Sequence, residues 1–360
     1  MNTKKIRKVR KVRKTQKTQK RRLVEYDPTY IISAKSQPKS LDFAILEKFL
    51  QSQGLHKVDD STSKPTFLWM ETLDDYRFDK QYYNTQCWLM SLLSNEKSVI
   101  TDKYKLYKNF HDIYPEQCAK YMAPSWSFED FIKNGIYDNK SVYIVKPVGK
   151  GAHSGKNIYM IYDIISYYNV INCVKSGKFS KYDNVIVSKY ITDILLFEGK
   201  KFHLKVSMIV SIINGKFKYK VCQFSRVIIA HKSYIKTDFF DKLIHDSHLD
   251  STYKDYFFPY DLEEPLKKSY KTIYSKITKC LKWIAKLLKP YAKPYEQAEN
   301  AFEILSCDFL VRDNLDVILM EINDKVAYDC KTEQKRNQLS TLLFTELINH
   351  ISGAFTHPKI

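Results

Sequence analysis

Four long apolar runs with the residue alternation of β-strands most constrain the fold of this chain. They cover residues 202–213, 217–230, 302–311 and 317–323. Asn214-Gly215 separates the first two runs, and this dipeptide favours the two-residue turn of a β-hairpin. Further strands are predicted at residues 141–147, 157–162 and 185–190, with helices at 41–55, 266–288 and 334–351. Strands mixed with flanking helices predict an α/β or α+β fold.

Two carboxylates lie inside the last two apolar runs, where an unpaired charge is unfavourable. Strand alternation puts Glu321 and Asn323 on one face, and a neighbouring strand can bring Asp308 against them. Carboxylate and amide oxygens suit Mg²⁺ that is shared with nucleotide phosphates. The sequence therefore predicts a metal site of Asp308, Glu321 and Asn323. Salt bridges to nearby lysines are the alternative for any one of the three.

A glycine-containing turn follows the strand predicted at residues 141–147. Gly149, Gly151 and Gly155 let backbone N–H groups approach phosphate oxygens, and Lys146 adds a positive charge. The segment is not a Walker loop, because G-x-x-x-x-G-K-[ST] leading into a helix is absent. A phosphate-binding turn is one interpretation, and a lysine-rich hairpin turn without a ligand is the other.

The run at residues 202–213 begins with basic residues that share one face of the strand. Alternation places Lys201, His203 and Lys205 together, opposite Phe202 and Leu204. These groups suit polyphosphate and carboxylate ligands. The alternative is the solvent-facing side of a half-buried sheet.

Taken together, these segments resemble motifs of the tubulin tyrosine ligase-like family of ATP-grasp ligases. Lys146-Pro147 and the following turn resemble its K-P-x-x-x-x-x-G-x-G-I phosphate loop, and Ser188-Lys189-Tyr190-Ile191 resembles its Q-K-Y-I hinge. Residues 199–205 resemble G-x-K-F-D-L-R, with His203 and Lys205 at the Asp and Arg positions.

The second half of the resemblance lies toward the C-terminus. Phe224-Ser225-Arg226 is similar to the family's R-F-A segment, and residues 243–246 are a degenerate match to its H-L-T-N box. Residues 302–310 and 319–323 match the F-E-x-x-x-x-D-F-L and L-x-E-x-N pair, the most specific part of the resemblance. Ile100-Thr101-Asp102-Lys103 through Pro124-Ser125-Trp126 resembles the family's lysine-containing helix and the P-x-x-W-like approach before the central domain. The resemblance covers residues 66 to 330.

The resemblance implies an α+β ATP-grasp fold, in which two α+β subdomains clamp ATP behind an N-terminal α/β domain. The corresponding boundaries are a disordered basic tail at 1–25, an N-terminal domain at 26–127, a central ATP-grasp subdomain at 128–195 and a C-terminal subdomain at 196–360. It also implies ATP and Mg²⁺ as cofactors, and amide-bond formation through an acyl phosphate.

The roles that the resemblance implies fall into three groups. Asp308, Glu321 and Asn323 would hold Mg²⁺, while Lys205 and Arg226 would stabilise the acyl phosphate as catalytic residues. The cofactor-binding residues would be Lys146, Gly149, Gly151, Gly155, Ser188, Lys189, Tyr190, Ile191, Lys201 and His203.

The charge of the chain indicates which classes of partner it could bind, and its cysteines indicate the redox state of its compartment. The net charge is +19, and residues 1–22 carry twelve Lys/Arg with no acid. Such a tail is expected to be disordered and fits an acidic protein acceptor, a nucleic acid or a nuclear localisation signal; a solubilising tail is the alternative. Seven scattered cysteines without a C-x-x-C pair favour a reducing compartment, which predicts a cytoplasmic protein. No apolar run is long enough to span a membrane.

Three functions remain open from the sequence. The first is an ATP-dependent ligase that joins a free amino acid to a protein, with an acidic acceptor such as a tubulin tail. The second is an ATP-grasp ligase for another peptide or a small molecule, and the third is an inactive basic module that binds RNA or microtubules. The helix at residues 266–288 has a lysine face, which predicts either a basic docking helix or a solvated face of a core helix.

Overall fold

The computed structural model describes eleven ranges of the chain. They are residues 28–33, 41–58, 66–70, 98–149, 157–239, 241–245, 256–259, 266–292, 300–324, 330 and 332–352. The predicted basic tail at residues 1–25 lies outside the described residues, as do Gly151, Gly155 and Asp246.

The N-terminal part contains a small parallel sheet. Its strands β1 (Thr29–Ser33), β2 (His56–Lys57) and β3 (Phe67–Met70) have the order β2-β1-β3. Helix α1 (Phe43–Ser52) begins after Asp42, whose carboxylate accepts a hydrogen bond from the Ala44 N–H.

Three short helices connect this sheet to the central part of the chain. They are α2 (Ser98–Thr101), α3 (Lys103–Ile113) and α4 (Pro115–Tyr121). Asp102 caps α3, because its carboxylate accepts hydrogen bonds from the N–H groups of Tyr104 and Lys105. This cap fixes Lys103 at the first position of the helix.

The central sheet has four antiparallel strands in the order β4-β7-β5-β6. They are β4 (Ser125–Ser127), β5 (Tyr143–Val148), β6 (Tyr159–Ile161) and β7 (Asn184–Lys189). Helices α5 (Phe128–Lys133) and α6 (Ile164–Lys175) cover it, and Phe131, Tyr143 and Val187 are buried in its core. Strand β4 pairs with β7 although the boundary expected at residue 127 assigns it to the N-terminal domain.

The C-terminal sheet holds the four long runs predicted from the sequence. Its main path has the order β11-β10-β9-β12-β13, and β8 pairs with β9. The strands are β8 (Leu196–Phe197), β9 (Lys200–Ile213), β10 (Lys216–Ser233), β11 (Tyr256–Phe258), β12 (Ala301–Val311) and β13 (Val317–Asn323). Asn214 and Gly215, both with positive φ, form the predicted hairpin turn between β9 and β10.

Helices pack on both faces of the C-terminal sheet. Helix α8 (Leu266–Leu288) packs with α3 and α4 on the face that carries Leu204 and Val206. Helix α9 (Glu333–Ile351) packs with α1 and the N-terminal sheet on the other face; a short helix α7 (Lys242–His245) also contacts β10. No helix in the described ranges is long and apolar enough to cross a membrane. The α+β class predicted from the sequence is confirmed.

Candidate active site

Four charged side chains form a row across the C-terminal sheet. In the strand register Glu321 lies opposite Asp308, Asp308 opposite Lys205, and Lys205 opposite Arg226. Residues directly opposite each other in neighbouring strands place their side chains on the same face. We call these four residues the charged row.

The centre of the charged row is a buried ion pair. Lys205 Nζ lies 3.2 Å from Asp308 Oδ1, and His203 Nε2 lies 3.7 Å from Asp308 Oδ2. Asp308 is 2% exposed and Lys205 is 8% exposed. Burial raises the pKa of Asp308 to about 7, because the lysine offsets only part of the desolvation and the charge of Glu321 adds to it.

Glu321 stands at the end of the row and pairs with a residue from the helical segment. Lys103 Nζ lies 2.7 Å from Glu321 Oε2, and Asn323 Nδ2 donates a hydrogen bond to Glu321 Oε1 at 3.1 Å. Burial raises the pKa of Glu321, but the positive charge of Lys103 and these hydrogen bonds more than offset it, so the pKa is lowered overall. Glu321 is therefore ionised at neutral pH.

The oxygen donors at this end of the sheet fit a magnesium ion. Asp308 and Glu321 are cross-strand partners, and Asn323 follows on the same face as Glu321. Asp308 Oδ1 has no aligned hydrogen-bond donor in the described part of the chain, although it forms the ion pair with Lys205. The described ranges contain no cluster of three His, Cys, Asp or Glu, so the candidate ligands are two carboxylates and one amide. Both carboxylates are balanced by lysines here, and the donor set suits Mg²⁺.

A cleft lies between the central sheet and the C-terminal sheet, and its open space, which includes solvent at the mouth, is about 690 Å³. The central sheet contributes Lys146 of β5 and Lys189 at the end of β7. The C-terminal sheet contributes Lys201 and the apolar side chains of β13. The cleft is lined by Lys103, Met122, Ala123, Ser125, Ile144, Lys146, Ile186, Ser188, Lys189, Tyr190, Ile191, Lys201, Leu310, Ile318, Leu319 and Met320. Apolar walls with a few convergent cations suit a nucleotide, which has a flat base and a charged phosphate chain.

The end of β7 forms one wall of this cleft. Ser188 and Ser125 share a hydrogen bond of 2.7 Å between their hydroxyl oxygens, which ties β7 to β4. Lys201 Nζ donates a hydrogen bond to the Tyr190 hydroxyl at 3.1 Å and lies 4.9 Å from the centre of its ring. Tyr190 and Lys201 therefore connect the central sheet to the C-terminal sheet beside the cleft.

Gly149 begins the predicted phosphate turn and shows why glycine is required there. Its φ is +93°, a backbone conformation that other residues rarely adopt. The Asp183 carboxylate occupies the space that a Cβ at this position would fill. The rest of the turn, with Gly151 and Gly155, lies outside the described residues.

The structure places six of the fifteen predicted site residues on the wall of one cleft, and the predicted metal ligands and catalytic residues are not among its lining residues. The six are Lys146, Ser188, Lys189, Tyr190, Ile191 and Lys201, and their role in cofactor binding stays a prediction. His203 is not part of the lining and lies against Asp308 instead. Arg226 and Lys205 are buried neighbours in the charged row.

Lys103 is the site residue that was not among the sequence candidates. It lines the cleft and binds Glu321 across a sequence separation of more than two hundred residues. Its local signals are the resemblance of its segment to the family's lysine-containing helix and its place directly after the capping residue Asp102. Its position against β13 depends on the packing of α3 on the C-terminal sheet.

Comparisons with known proteins show which family and which solved structure this chain resembles. A model of the Tubulin-tyrosine ligase family matches residues 80–229 and 246–357. A sequence search of curated proteins found no match.

A solved structure shares the fold over nearly the whole chain. The C-terminal domain of Pby1 from K. lactis, described as an ATP-grasp enzyme that interacts with the mRNA decapping enzyme Dcp2, superposes with a TM-score of 0.64 and 16% identity. The superposition covers 93% of this chain and 95% of that chain. This similarity shows the ATP-grasp fold. Family and fold together support an ATP-grasp-type ligase, and the chain belongs to the tubulin-tyrosine ligase family.

Proposed function

We propose that this chain is an ATP- and Mg²⁺-dependent ligase that joins a free amino acid to a protein acceptor through an acyl phosphate. One observation carries the proposal. The charged row supplies two carboxylates and two cations on the sheet that walls the cleft, and Lys103 connects the two because it binds Glu321 of the row and also lines the cleft.

The reaction has two steps that balance without a covalent enzyme intermediate. The γ-phosphoryl group of ATP passes to a substrate carboxylate, giving ADP and an acyl phosphate. An amine then attacks the acyl carbon, loses a proton and expels inorganic phosphate, which leaves an amide. The six cysteines in the described ranges are free and take no part in this scheme.

The chain's own residues position and neutralise the reacting groups. Lys146 and Lys189 project into the cleft from the central sheet, where they bind phosphate and hold the nucleotide. Lys205 and Arg226 balance the negative charge of the acyl phosphate from the opposite sheet. Asp308, Glu321 and Asn323 would hold Mg²⁺, which supplies charge neutralisation for the nucleotide phosphates.

An acidic acceptor protein agrees with the charge of the chain. The net charge is +19, so long-range attraction raises the encounter rate with a negatively charged polypeptide such as a tubulin tail. Free thiols throughout the described ranges suit a reducing compartment, and we place the activity in the cytoplasm.

Nucleotide binding is tested first, by thermal unfolding of the full chain with and without ATP and Mg²⁺. Ligand that binds only the folded state raises the melting temperature by mass action. Lys146→Met should abolish the shift, whereas Lys140→Met, at an exposed position of the same subdomain, should leave it unchanged. A folded wild-type chain with no shift at millimolar ATP would refute the nucleotide site.

Ligation is tested by incubating purified tubulin with the chain, ATP, Mg²⁺ and one amino acid at a time, followed by mass spectrometry. A mass increase equal to one amino acid residue, dependent on ATP, is the expected result. Nucleotide binding and ATP turnover without any change in tubulin would move the proposal to another peptide or a small molecule. Binding without ATP turnover would favour the inactive module.

A further inference from the structure

Helix α8 carries a continuous basic surface that the proposed reaction does not use. Its 23 residues contain no acid, and seven lysines on or just after it are exposed. At 100° per residue these lysines fall within an arc of about 120°, and they extend over about 33 Å along the axis. We call this surface the lysine stripe; it consists of Lys267, Lys268, Lys271, Lys279, Lys282, Lys286 and Lys289.

The opposite side of α8 fixes the direction of the stripe. Ile273, Ile277 and Ile284 are buried against the C-terminal sheet. The hydroxyls of Tyr270 and Tyr274 donate hydrogen bonds to backbone carbonyls of β10, at 2.6 Å and 2.8 Å. These contacts fix the rotation of α8 about its axis, so its lysines face away from the sheet.

The stripe is also separate from the candidate active site. Helix α8 packs on the sheet face that carries Leu204 and Phe309, whereas Lys205 and Asp308 point to the other face. A ligand on the stripe is therefore separated from the cleft by the thickness of the sheet, and changes in the stripe can be made without touching the charged row.

The stripe differs from an ordinary solvated helix face in two ways. A solvated face usually mixes both signs, but none of these seven lysines forms an ion pair with a carboxylate of the described residues. Successive lysines three or four positions apart repel each other, and Lys267 and Lys268 stand in the first turn, where the helix dipole disfavours positive charge. Lys276, which pairs with Asp316 at 2.7 Å, lies outside the arc. An arrangement that destabilises the free helix suggests a bound polyanion.

We propose that the lysine stripe binds the phosphate backbone of double-stranded nucleic acid, without sequence preference. Duplex phosphates carry one negative charge per about 1.7 Å of axis when both strands are counted, so a duplex segment as long as the stripe carries more than twice as many charges as the stripe has lysines. Counterions released from the duplex supply the driving force, and exposed lysines suffice for this.

Two other polyanions fit the stripe less well. Single-stranded nucleic acid binds on aromatic platforms, but no aromatic side chain of α8 is exposed. The ring of Trp283 is covered by Lys286 Nζ at 3.8 Å. An extended acidic polypeptide carries at most one charge per residue of about 3.3 Å, about half the charge density of the duplex, so it releases fewer counterions and its exposed ion pairs with the stripe are weak.

The test is fluorescence anisotropy of the full chain with labelled DNA and RNA duplexes of about 20 base pairs, twice the length that the stripe spans. Affinity is measured between about 50 mM and 200 mM salt. The stripe variant is Lys271→Gln/Lys279→Gln/Lys282→Gln. The matched control is Lys133→Gln/Lys140→Gln/Lys175→Gln, which removes the same charge from exposed positions of the central subdomain.

The stripe variant should lose at least about tenfold in affinity, and its slope of log affinity against log salt should be smaller by about 2.7, as expected for three lost phosphate contacts. The control should keep the wild-type slope. Glutamine is a good helix former, so the variant should fold, and its thermal shift with ATP and Mg²⁺ should match the wild type. The corresponding Lys→Arg triple variant should bind as the wild type does.

Several results would overturn the proposal. They are a wild-type chain that binds neither duplex, a stripe variant that loses no more than the control, tighter binding of single strands than of duplexes, and poly-glutamate that competes as well as the duplex. Tighter binding of the RNA or the DNA duplex would support the proposal and identify which of the two is preferred. None of these outcomes bears on ligation, so the proposed function is tested separately.

Discussion

The ion pair between Lys103 and Glu321 provides the sharpest test of the metal site, because its two members should affect Mg²⁺ in opposite directions. Glu321→Gln removes an anionic oxygen donor while it preserves the shape of the side chain. Lys103→Met removes the cation that occupies the same carboxylate at 2.7 Å. Either change breaks one charge-assisted hydrogen bond, so each should lower the free energy of unfolding by roughly 1.5–3 kcal/mol.

The Mg²⁺ requirement separates the two variants. Loss of a metal ligand should raise the Mg²⁺ concentration needed for the ATP-dependent thermal shift at least as much as loss of an outer-shell partner does, about 10–100-fold. Removal of Lys103 leaves Glu321 without its competing cation. An ion pair of about 1.4 kcal/mol would then correspond to a tenfold lower Mg²⁺ requirement. Lys103 also lines the cleft, so the nucleotide affinity of Lys103→Met is measured at saturating Mg²⁺ to correct for any direct loss.

The assay is a Mg²⁺ titration at fixed ATP, read by differential scanning fluorimetry, with urea denaturation of each variant without ligand. If Glu321 is only a salt-bridge partner, both variants should lose stability equally and keep the wild-type Mg²⁺ midpoint. That result would refute the metal site. A lower Mg²⁺ midpoint in Glu321→Gln would also contradict it.

Three further predictions concern stability. Burial lowers the pKa of His350 to about 4, so this ring is neutral in the folded state, and stability should fall by up to roughly 3 kcal/mol as the pH drops from about 6.5 to 4. His350→Gln should remove most of that loss in urea denaturation at the two pH values. Gly149→Ala should destabilise the protein by about 1–3 kcal/mol, because of its positive φ and the carboxylate of Asp183, and wild-type stability would contradict the conformation of Gly149. Lys205→Met should lower stability by about 3–5 kcal/mol at pH 7 by removing the lysine that offsets the desolvation of Asp308, and adding Asp308→Asn should restore most of it; no rescue would show that the two residues act independently.

The long strands could be predicted because their signals are local. Apolar alternation and the Asn214-Gly215 turn identified β9 and β10, and the structure confirms the hairpin. The expected helix at residues 266–288 agrees with α8, since a 3.6-residue apolar period is read directly from the sequence. Element ends were less certain: the helix expected at 41–55 covers Phe43–Ser52, where the cap at Asp42 sets its start.

Only some of the residues of the site could be predicted from the sequence. Asp308 and Glu321 could be singled out because charges in apolar strands need partners, and Lys205 because alternation places it on one face with Lys201 and His203. The partners of these charged residues could not be predicted, because a sequence does not give strand order or register. The pairing of β12 between β9 and β13 decides that Lys205 and Glu321 flank Asp308.

The sequence by itself determined the fold class, the family resemblance and the chemistry of the side chains, because periodicity, turn residues and motif spacing are properties of short segments. Only the tertiary structure decided that Lys103, at the start of α3, completes the charge balance of Glu321 on β13. It also decided that the lysine face of α8, six lysines continued by Lys289, lies on the reverse side of the sheet from the charged row. Both results depend on long-range packing of apolar faces, which brings together charges that lie far apart in the chain.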